Sequence, residues 1–550
     1  MIVNIDIHEK SFGPKILYND LKLSLQAKEK VGVIGRNGTG KSTLFHILSG
    51  NDKDFSGEIK FRKNLVVIAS RQEHQAFKNT PVLAYILDDL PRYASLKHII
   101  DTYPETMGES IRKINEFSEA LEQFNALGYF EVESEIINSL QTYQLDDTQI
   151  KGTIGQLSGG QKRFVELVKV QHAKAELVLI DEPTNHMDYV AKNLFIDWLR
   201  TEQASTLVIT HDRDVLREVD RIIEIRDGQA LSFNGNYDAY LRTNASKIVS
   251  EVNEYEVTQS RIVNLKNDVV RFGRLKERAR DPDTIKRFKG QEQRAKDALN
   301  QLQKLEKPSF WIDQDSLEGM NDKITGSYDK HKAKNIRVSM KKQTSASSRL
   351  LIEAHELSLG YDQPLFDGIS FQLREGERIR LHGRNGAGKT TLINAILSEH
   401  LGQEIESKKF AGHILVEKEL KIGVYNQEIS ADVLSLTLFD AVEKVLLQKG
   451  VNASDQRIRQ LLSDYLFHPQ GDGALTLDQL SGGQKARYQL ICMLANDPQV
   501  LILDEPTNHL DLPSIEELEG ALSTYGGAII YVSHDSYFSS KIKATEVKVG

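Results

Sequence analysis

An internal repeat constrains this chain more than any other feature. Gly35-Arg-Asn37-Gly38-Thr-Gly40-Lys41-Ser42-Thr43 returns as Gly383-Arg-Asn385-Gly386-Ala-Gly388-Lys389-Thr390-Thr391. Leu157-Ser158-Gly-Gly160-Gln161 returns as Leu480-Ser481-Gly-Gly483-Gln484, and Asp181-Glu182-Pro-Thr-Asn185 returns as Asp504-Glu505-Pro-Thr-Asn508. The spacing repeats with the letters. Ser158 stands 23 residues before Asp181 and Ser481 stands 23 before Asp504, while His211 and His534 each follow their aspartate by 30. Spacing held this closely implies two copies of one fold rather than two stray motifs. Gly35 to Ser158 spans 123 residues against 98 from Gly383 to Ser481. The excess lies around 93–140, a charged stretch with helical patterning, and predicts a larger helical subdomain in the first copy.

Short continuous apolar runs end at these motifs. Val31–Ile34 leads into the first glycine-rich loop, Leu177–Ile180 ends at Asp181, and Thr206–Thr210 ends at His211. Ile379–Leu381, Val500–Leu503 and Ile529–Ser533 play the same parts in the second copy. Runs without alternation suit strands covered on both faces, so the expected class is α/β, with mostly parallel sheets flanked by helices. Polar residues at strand ends are where such sheets hold ligands. The expected organisation is a first domain over 1–243, a helical hairpin over 244–308, a basic linker over 309–350 and a second domain over 351–550.

At 550 residues the chain is too long for one core. No apolar run nears the roughly 18 residues a spanning helix needs, and Met1-Ile-Val-Asn-Ile-Asp has neither a basic nor an apolar leader region. The single cysteine, Cys492, allows no internal disulfide and no cysteine-based zinc site, and it reads as a core residue. A cytoplasmic protein is expected. The net charge of −8 hides a local excess: Arg271–Lys296 holds ten Lys/Arg and four Asp/Glu.

Both glycine-rich loops fit the phosphate-loop pattern in full. Their glycines let backbone N–H groups turn inward around phosphate oxygens, and the following helix adds its dipole. Lys41 and Lys389 would reach β- and γ-phosphates, and Ser42 and Thr390 would offer a hydroxyl to Mg²⁺. Asp181 and Asp504 would hold the Mg²⁺ shell. Glu182 and Glu505 are candidate bases or water-orienting groups, since phosphoryl transfer asks mainly for positioning and charge stabilisation. ATP and Mg²⁺ are therefore the expected ligands, and both copies keep a complete set. His211 and His534 fit a γ-phosphate contact. Gln72 and Gln427, after strand-like runs, could touch Mg²⁺ and the attacking water. Phe12 and Tyr361, which precede the loops by 23 and 22 residues, could stack on adenine or belong to the core.

Phosphate loop, Ser-Gly-Gly-Gln signature, Asp-Glu pair and His loop, in that order and twice, resemble the ABC ATPases. The resemblance implies that Ser158, Gly160 and Gln161 complete the site built on Lys389, and that Ser481, Gly483 and Gln484 complete the site on Lys41. ATP would then hold the halves of one monomer together as a sandwich, and hydrolysis would let them part. The extensions Asp-Glu-Pro-Thr-Asn-His-Met-Asp188 and Asp-Glu-Pro-Thr-Asn-His-Leu-Asp511 are similar to those of the ABC-F subfamily, with Met187 a mild departure. Ala69-Ser-Arg before Gln72 departs from its usual Leu-Pro. The likeness is strong over 1–243 and 351–550.

The linker reads as a helical hairpin. Ile248, Val252, Tyr255, Ile262, Leu265, Val269 and Phe272 recur at three- and four-residue steps, and Ile285, Phe288, Ala295, Leu299, Leu302 and Leu305 continue them beyond a turn at Asp281-Pro282-Asp283. Arg271, Arg274, Lys276, Arg278, Arg280, Lys286, Arg287 and Lys289 crowd its far end. The segment is either a solvated spacer or an RNA-contacting finger whose cations meet phosphates without reading sequence. Membership of ABC-F implies the second: its hairpin enters the tRNA exit site of the ribosome and contacts tRNA near the peptidyl-transferase centre. The reading that follows is a ribosome-associated ATPase, serving translation control or protection against large-subunit antibiotics. The alternatives are the energy subunit of a membrane transporter and a DNA-maintenance ATPase. The short hairpin and single cysteine argue against the last. The chain ends soon after His534, so no further nucleic-acid domain is expected.

Overall fold

The structure is a computed structural model that describes residues 1–13, 15–71, 74–185, 187–278, 280–302, 349–404, 407–426, 429–469, 471–508 and 510–550. The readings made for Gln72, Gln427 and most of the 309–350 linker fall outside these. Contacts divide the chain into two units: Met1–Tyr237 with Ile336–Gly550, and Asp238–Asn335.

The first unit contains both copies of the repeat. Its first sheet has six strands in the order Val67–Ala69, Leu177–Asp181, Ser205–Ile209, Lys30–Ile34, Arg221–Arg226 and Gln229–Asn234. All neighbours are parallel except the last pair. The equivalent sheet has five parallel strands: Ile422–Tyr425, Val500–Asp504, Ala528–Val532, Arg378–His382 and Thr545–Lys548. Every residue of Leu177–Asp181, Ser205–Ile209, Val500–Asp504 and Ala528–Val532 is buried, which is why these strands read as unbroken apolar runs. Each copy also has a three-stranded antiparallel sheet, with Val3–Phe12 between Lys15–Leu25 and Ser56–Phe61, and Leu350–Gly360 between Pro364–Arg374 and Lys408–Val416.

The period of two along the central strands sets the layers. Leu177 and Leu179 pack against Leu44 and Leu48 of helix Lys41–Leu48, which follows the phosphate loop. Val178 and Ile180 face the other way, into a cluster with Val165 and Val168 of helix Gly159–His172, which follows the signature. The second copy repeats this: Val500 and Ile502 share a core with Leu392 and Ile396, and Leu501 and Leu503 share one with Leu490 and Ile491. One strand thus carries Asp181 or Asp504 between the two helices that bring the phosphate-binding and signature motifs.

The longer interval in the first copy holds helices Val82–Asp89, Tyr93–Thr106, Ile111–Ala126 and Val132–Thr142, where the second has Leu438–Gln448 and Asp455–Asp464. Tyr93, Phe124 and Tyr129 close the extra pair, with Tyr129 edge-on to both other rings at 5.3 and 5.4 Å.

In the second unit, helix Tyr237–Arg278 runs for 42 residues and helix Pro282–Leu302 for 21. At 1.5 Å per residue the first is about 63 Å long. Asp281 caps the second helix: Oδ2 accepts the Thr284 N–H at 2.9 Å and its hydroxyl at 2.8 Å. Pro282 takes the first helical position, where its missing N–H costs nothing, so Pro282 and Asp283 begin the helix rather than form a free turn. Ile262 is buried, and Leu265, Val269, Phe272, Ile285, Phe288 and Leu299 are half-buried. The side chains of Ile248, Val252, Tyr255, Ala295 and Leu302, and the whole of Leu305, lie outside the described ones.

Candidate nucleotide sites

Gly40 and Gly388 precede the phosphate-loop helices with φ of 96° and 93°, the left-handed region that glycine enters freely. A Cβ on Gly40 would also lie 2.9 Å from the Tyr18 ring, so the loop has no room for a side chain there. Lys41 Nζ donates to the carbonyls of Gly35 at 2.7 Å and Arg36 at 3.1 Å. Lys389 Nζ does the same with Gly383 and Arg384, both at 2.8 Å. Both amines are buried at the mouth of their loop, and burial lowers both pKa values while Glu182 and Glu505 oppose it.

The hydroxyl beside each lysine shares its cavity with an aspartate. Thr390 Oγ1 donates to Asp504 Oδ2 at 2.9 Å, and Ser42 and Asp181 line one cavity in the first half. Burial raises the pKa of both carboxyl groups. Asp181 Oδ1 is buried without a hydrogen-bond partner. A hydroxyl together with a carboxylate that keeps one oxygen uncommitted suits a hard divalent cation such as Mg²⁺.

Glu182 and Glu505 follow with φ of 46° and 49°. A non-glycine residue here costs energy and persists only where its surroundings enforce it, commonly at functional sites. That both copies carry this strain at the same residue marks it as part of the site. Burial, then the neighbouring aspartate, push these carboxyl groups up to about 8 and about 7. His211 Nε2 lies 3.5 Å from Glu182 Oε1, and His534 Nε2 lies 3.5 Å from Glu505 Oε1. Neither imidazole makes a hydrogen bond through either nitrogen. Burial holds both near a pKa of about 3, hence neutral, so each ring keeps one N–H to donate.

The signatures complete these groups crosswise. A cavity of about 570 Å³ is lined by Lys389, Thr390, Asp504, Glu505 and His534 from the second half and by Ser158 and Gly160 from the first. Its counterpart, about 510 Å³, joins Lys41, Ser42, Asp181, Glu182 and His211 to Ser481 and Gly483. Both volumes lie in the roughly 300–1,000 Å³ range of small-molecule sites. Phe12 and Tyr361 line the two mouths at 72 % and 58 % exposure, so neither is a core aromatic. Asn37, Gly38, Thr43, Asn385, Gly386 and Thr391 also line them. Gln161 and Gln484 do not: each closes a capping box with its serine, at 2.9 and 3.0 Å from the serine N–H. They fix the start of the signature helix and aim its N–H groups at the cavity.

Two residues of the site went unassigned in the sequence. Asp188 Oδ1 caps helix Tyr189–Thr201 through Val190 and Ala191, while Oδ2 accepts the Asn385 N–H of the opposite phosphate loop at 3.1 Å. Asp511 Oδ1 caps helix Leu512–Thr524 through Ser514, and Oδ2 accepts the Asn37 N–H at 3.0 Å. The repeated aspartate was visible, but local spacing explains only the cap. A smaller cavity between the two large ones is shared by Glu182, Asn185, His211, Glu505, Asn508 and His534.

Buried phosphate-loop lysines, metal-ready aspartates and crosswise signatures define a P-loop ATPase whose two sites are each built from both halves. The sequence profile described as ABC transporter matches residues 18–185 and 366–508. The chain belongs to the ABC transporter family of ATPases, whose domain it carries twice in tandem. It is similar to YdiF of Bacillus subtilis (strain 168), 29% identical over 100% of this chain and 79% of the relative. It is also similar to the ribosome protection protein VmlR of the same organism, 27% identical over 96% and 82%. ABC transporter F family member 5 of Arabidopsis thaliana is 26% identical over 100% and 75%. Among solved structures, an RNase-L Inhibitor shares the fold with a TM-score of 0.53 and 18% identity, over 99% of this chain and 87% of that one. The activity is ATP hydrolysis. Among the described residues no helix is long and apolar enough to cross a membrane.

Proposed function

We propose that the protein is a ribosome-associated ATPase of the cytoplasm, monomeric, that binds the ribosome in its ATP state and leaves on hydrolysis. Lys41 and Lys389 hold the β- and γ-phosphates, and His211 and His534 donate their remaining N–H to the γ-phosphate. Ser42 with Asp181, and Thr390 with Asp504, would hold Mg²⁺, which would supply charge neutralisation for phosphoryl transfer. Glu182 and Glu505 orient the attacking water and accept its proton. Their raised pKa values put them near the operating pH, where a base both exists and has driving force. Gln72 and Gln427 assist at the same water and metal. Ser158, Gly160, Ser481 and Gly483 close each cavity, and Phe12 and Tyr361 stack on adenine.

The observation that carries this reading is the pairing of two crosswise ATP cavities with a hairpin whose end is basic and exposed. Arg271, Arg274, Arg278, Arg280, Lys286, Arg287 and Lys289 are all exposed. Lys276 differs: its amine pairs with Glu292 at 2.6 Å and is half-buried. The exposed cations suit rRNA and tRNA phosphates, and likeness to a ribosome protection protein supports that partner. The hairpin then points towards the tRNA and peptidyl-transferase region, and the chain serves translation control or protection against large-subunit antibiotics. The test is co-sedimentation of Glu182→Gln/Glu505→Gln protein with ribosomes. It should pellet with ribosomes in MgATP and block translation; trapped protein that stays in the supernatant sinks the proposal. A drug-susceptibility panel with and without the gene separates the two roles.

A further inference from the structure

Helix Gly159–His172, which begins at the first signature, carries two buried charges that its counterpart lacks. Glu166 is 2 % exposed and Lys169 is fully buried. Lys169 Nζ lies 2.6 Å from Glu166 Oε2 and 3.1 Å from Asp89 Oδ2. Glu166 Oε2 also accepts the backbone N–H of Arg71 at 2.8 Å, while Oε1 meets His74 Nε2 at 2.9 Å and accepts the Tyr85 hydroxyl. Arg71 returns to Asp89 at 2.9 Å and covers the Phe77 ring at 4.7 Å. Burial alone would push the Glu166 carboxyl up, but Lys169 and these hydrogen bonds hold it at about 2, so it stays ionised. A buried charge satisfied on every side fixes its neighbours in one arrangement.

The arrangement spans the half. Ser70, next to Arg71, accepts the Asp181 N–H at 3.1 Å and donates its own N–H to the Leu179 carbonyl at 2.9 Å. Asp181 is thereby tied through Ser70 and Arg71 to Glu166, and Glu166 sits two turns into the helix that presents Ser158 and Gly160 to the Lys389 cavity. At the matching places in the second half stand Tyr425, an exposed Asn426, Gln489 and Cys492. Burial raises the Cys492 thiol to about 11, so no charge forms there. Among the described residues no buried carboxylate joins the second signature helix to its own strand.

We propose that Glu166 is a positioning residue that bolts the first half's signature to its Asp181 strand, giving the Lys389 cavity a preset signature, while the second signature, held by Arg487 to the Tyr465 and Leu466 carbonyls, serves the Lys41 cavity with no such tie to its own strand. This rests on the assignment of Ser158 and Gly160 to the nucleotide held on Lys389. A preset signature acts on charge that develops during hydrolysis, so its loss falls on kcat rather than on ATP binding.

Removing Glu166 alone would leave the buried Lys169 with Asp89 as its one remaining carboxylate, so the variant of choice is Glu166→Leu/Lys169→Met, which deletes both charges and keeps the volume. Turnover at the Lys389 cavity is read in Glu182→Gln protein, and turnover at the Lys41 cavity in Glu505→Gln protein, together with thermal midpoints. The paired substitution should lower kcat at the Lys389 cavity by roughly tenfold and turnover at the Lys41 cavity, which shares Asp181, by no more than about threefold, with KM for ATP at the Lys389 cavity changed by less than about twofold. Equal loss at both cavities, or unchanged turnover at the Lys389 cavity, overturns the bolt. Should the pair fail to fold, Glu166→Gln, which keeps an oxygen for the Arg71 N–H, is read by the same asymmetry and the same overturning outcomes. Gly160→Asp separates the underlying assignment. If it leaves the Lys389 cavity at full rate, the signature assignment fails; if it abolishes turnover while the Glu166 variants change nothing, only the bolt fails.

Discussion

Gly483 leaves room for Asn37 of the opposite half: a Cβ there would lie 2.0 Å from Asn37 Nδ2. Alanine is the better helix former by about 1 kcal/mol, so Gly483→Ala should not harm folding. We expect it to lower turnover at the Lys41 cavity by roughly tenfold and to spare the Lys389 cavity, as measured in the two single Glu→Gln proteins. Unchanged turnover at the Lys41 cavity would mean that the signature gives way without consequence. The strained glutamates carry a second expectation. Their folded pKa values, about 8 and about 7, exceed the unfolded 4.5. The folded chain binds more protons in that window, so nucleotide-free stability is full below the unfolded value and is lost as pH rises towards about 8. His211 and His534 act oppositely, losing stability as pH falls below 6.5. Between pH 6.5 and 8 only the glutamates of this set operate, so Glu182→Gln/Glu505→Gln should flatten the decline of the thermal midpoint there. A decline of equal slope in the variant contradicts it.

Among elements, the hairpin makes the sharpest division. Neutralising Arg274, Arg278, Lys286 and Arg287 should weaken ribosome binding and reduce its log–log salt slope by about 3. Lys276→Gln should leave that slope alone and cost the hairpin at most about 1 kcal/mol, because its charge is already engaged with Glu292. Binding isotherms at several salt concentrations check both, and an equal slope change from Lys276→Gln would place its charge on the RNA instead. The contrast shows what the sequence made legible. Strands such as Val500–Asp504 and the phosphate loops were readable because burial pattern and turn chemistry are local. Tip charges could be counted, but not sorted into paired and exposed. Crosswise closure of the cavities came from the family likeness, since Ser158 and Lys389 share no local signal. The Asn385 contact of Asp188 spans 197 residues, and the Arg71 contact of Glu166 spans 95 with no periodic trace.

Over the whole molecule the repeat is less symmetric than its motifs. Arg213, two residues past His211 and 2 % exposed, crosses to the second half: Nη1 donates to Glu519 at 2.8 Å and Nη2 lies 3.7 Å from Glu516. Tyr537 covers its guanidinium at 4.1 Å. Lys192 lies 2.9 Å from Asp212 and 2.6 Å from Asp214, which also accepts the Ser536 hydroxyl at 2.6 Å. Arg213→Met should cost about 3–5 kcal/mol by leaving two acids buried near each other, while Arg213→Met/Glu516→Gln/Glu519→Gln should recover most of it. Chemical unfolding of both variants tests this, and equal losses would show that packing of the arginine, not its charge, holds the seam. The duplicated positions carry different chemistry: Ser536 matches Arg213, and Asn193 and Ile196 match Glu516 and Glu519. Two identical first halves would therefore bring arginine against Asn and Ile with no acid to meet it. Two identical second halves would set glutamates opposite serine. Neither half can mate with itself as it mates with its sibling, so fusion into one polypeptide secures heterotypic assembly that separate copies of a single gene product could not achieve.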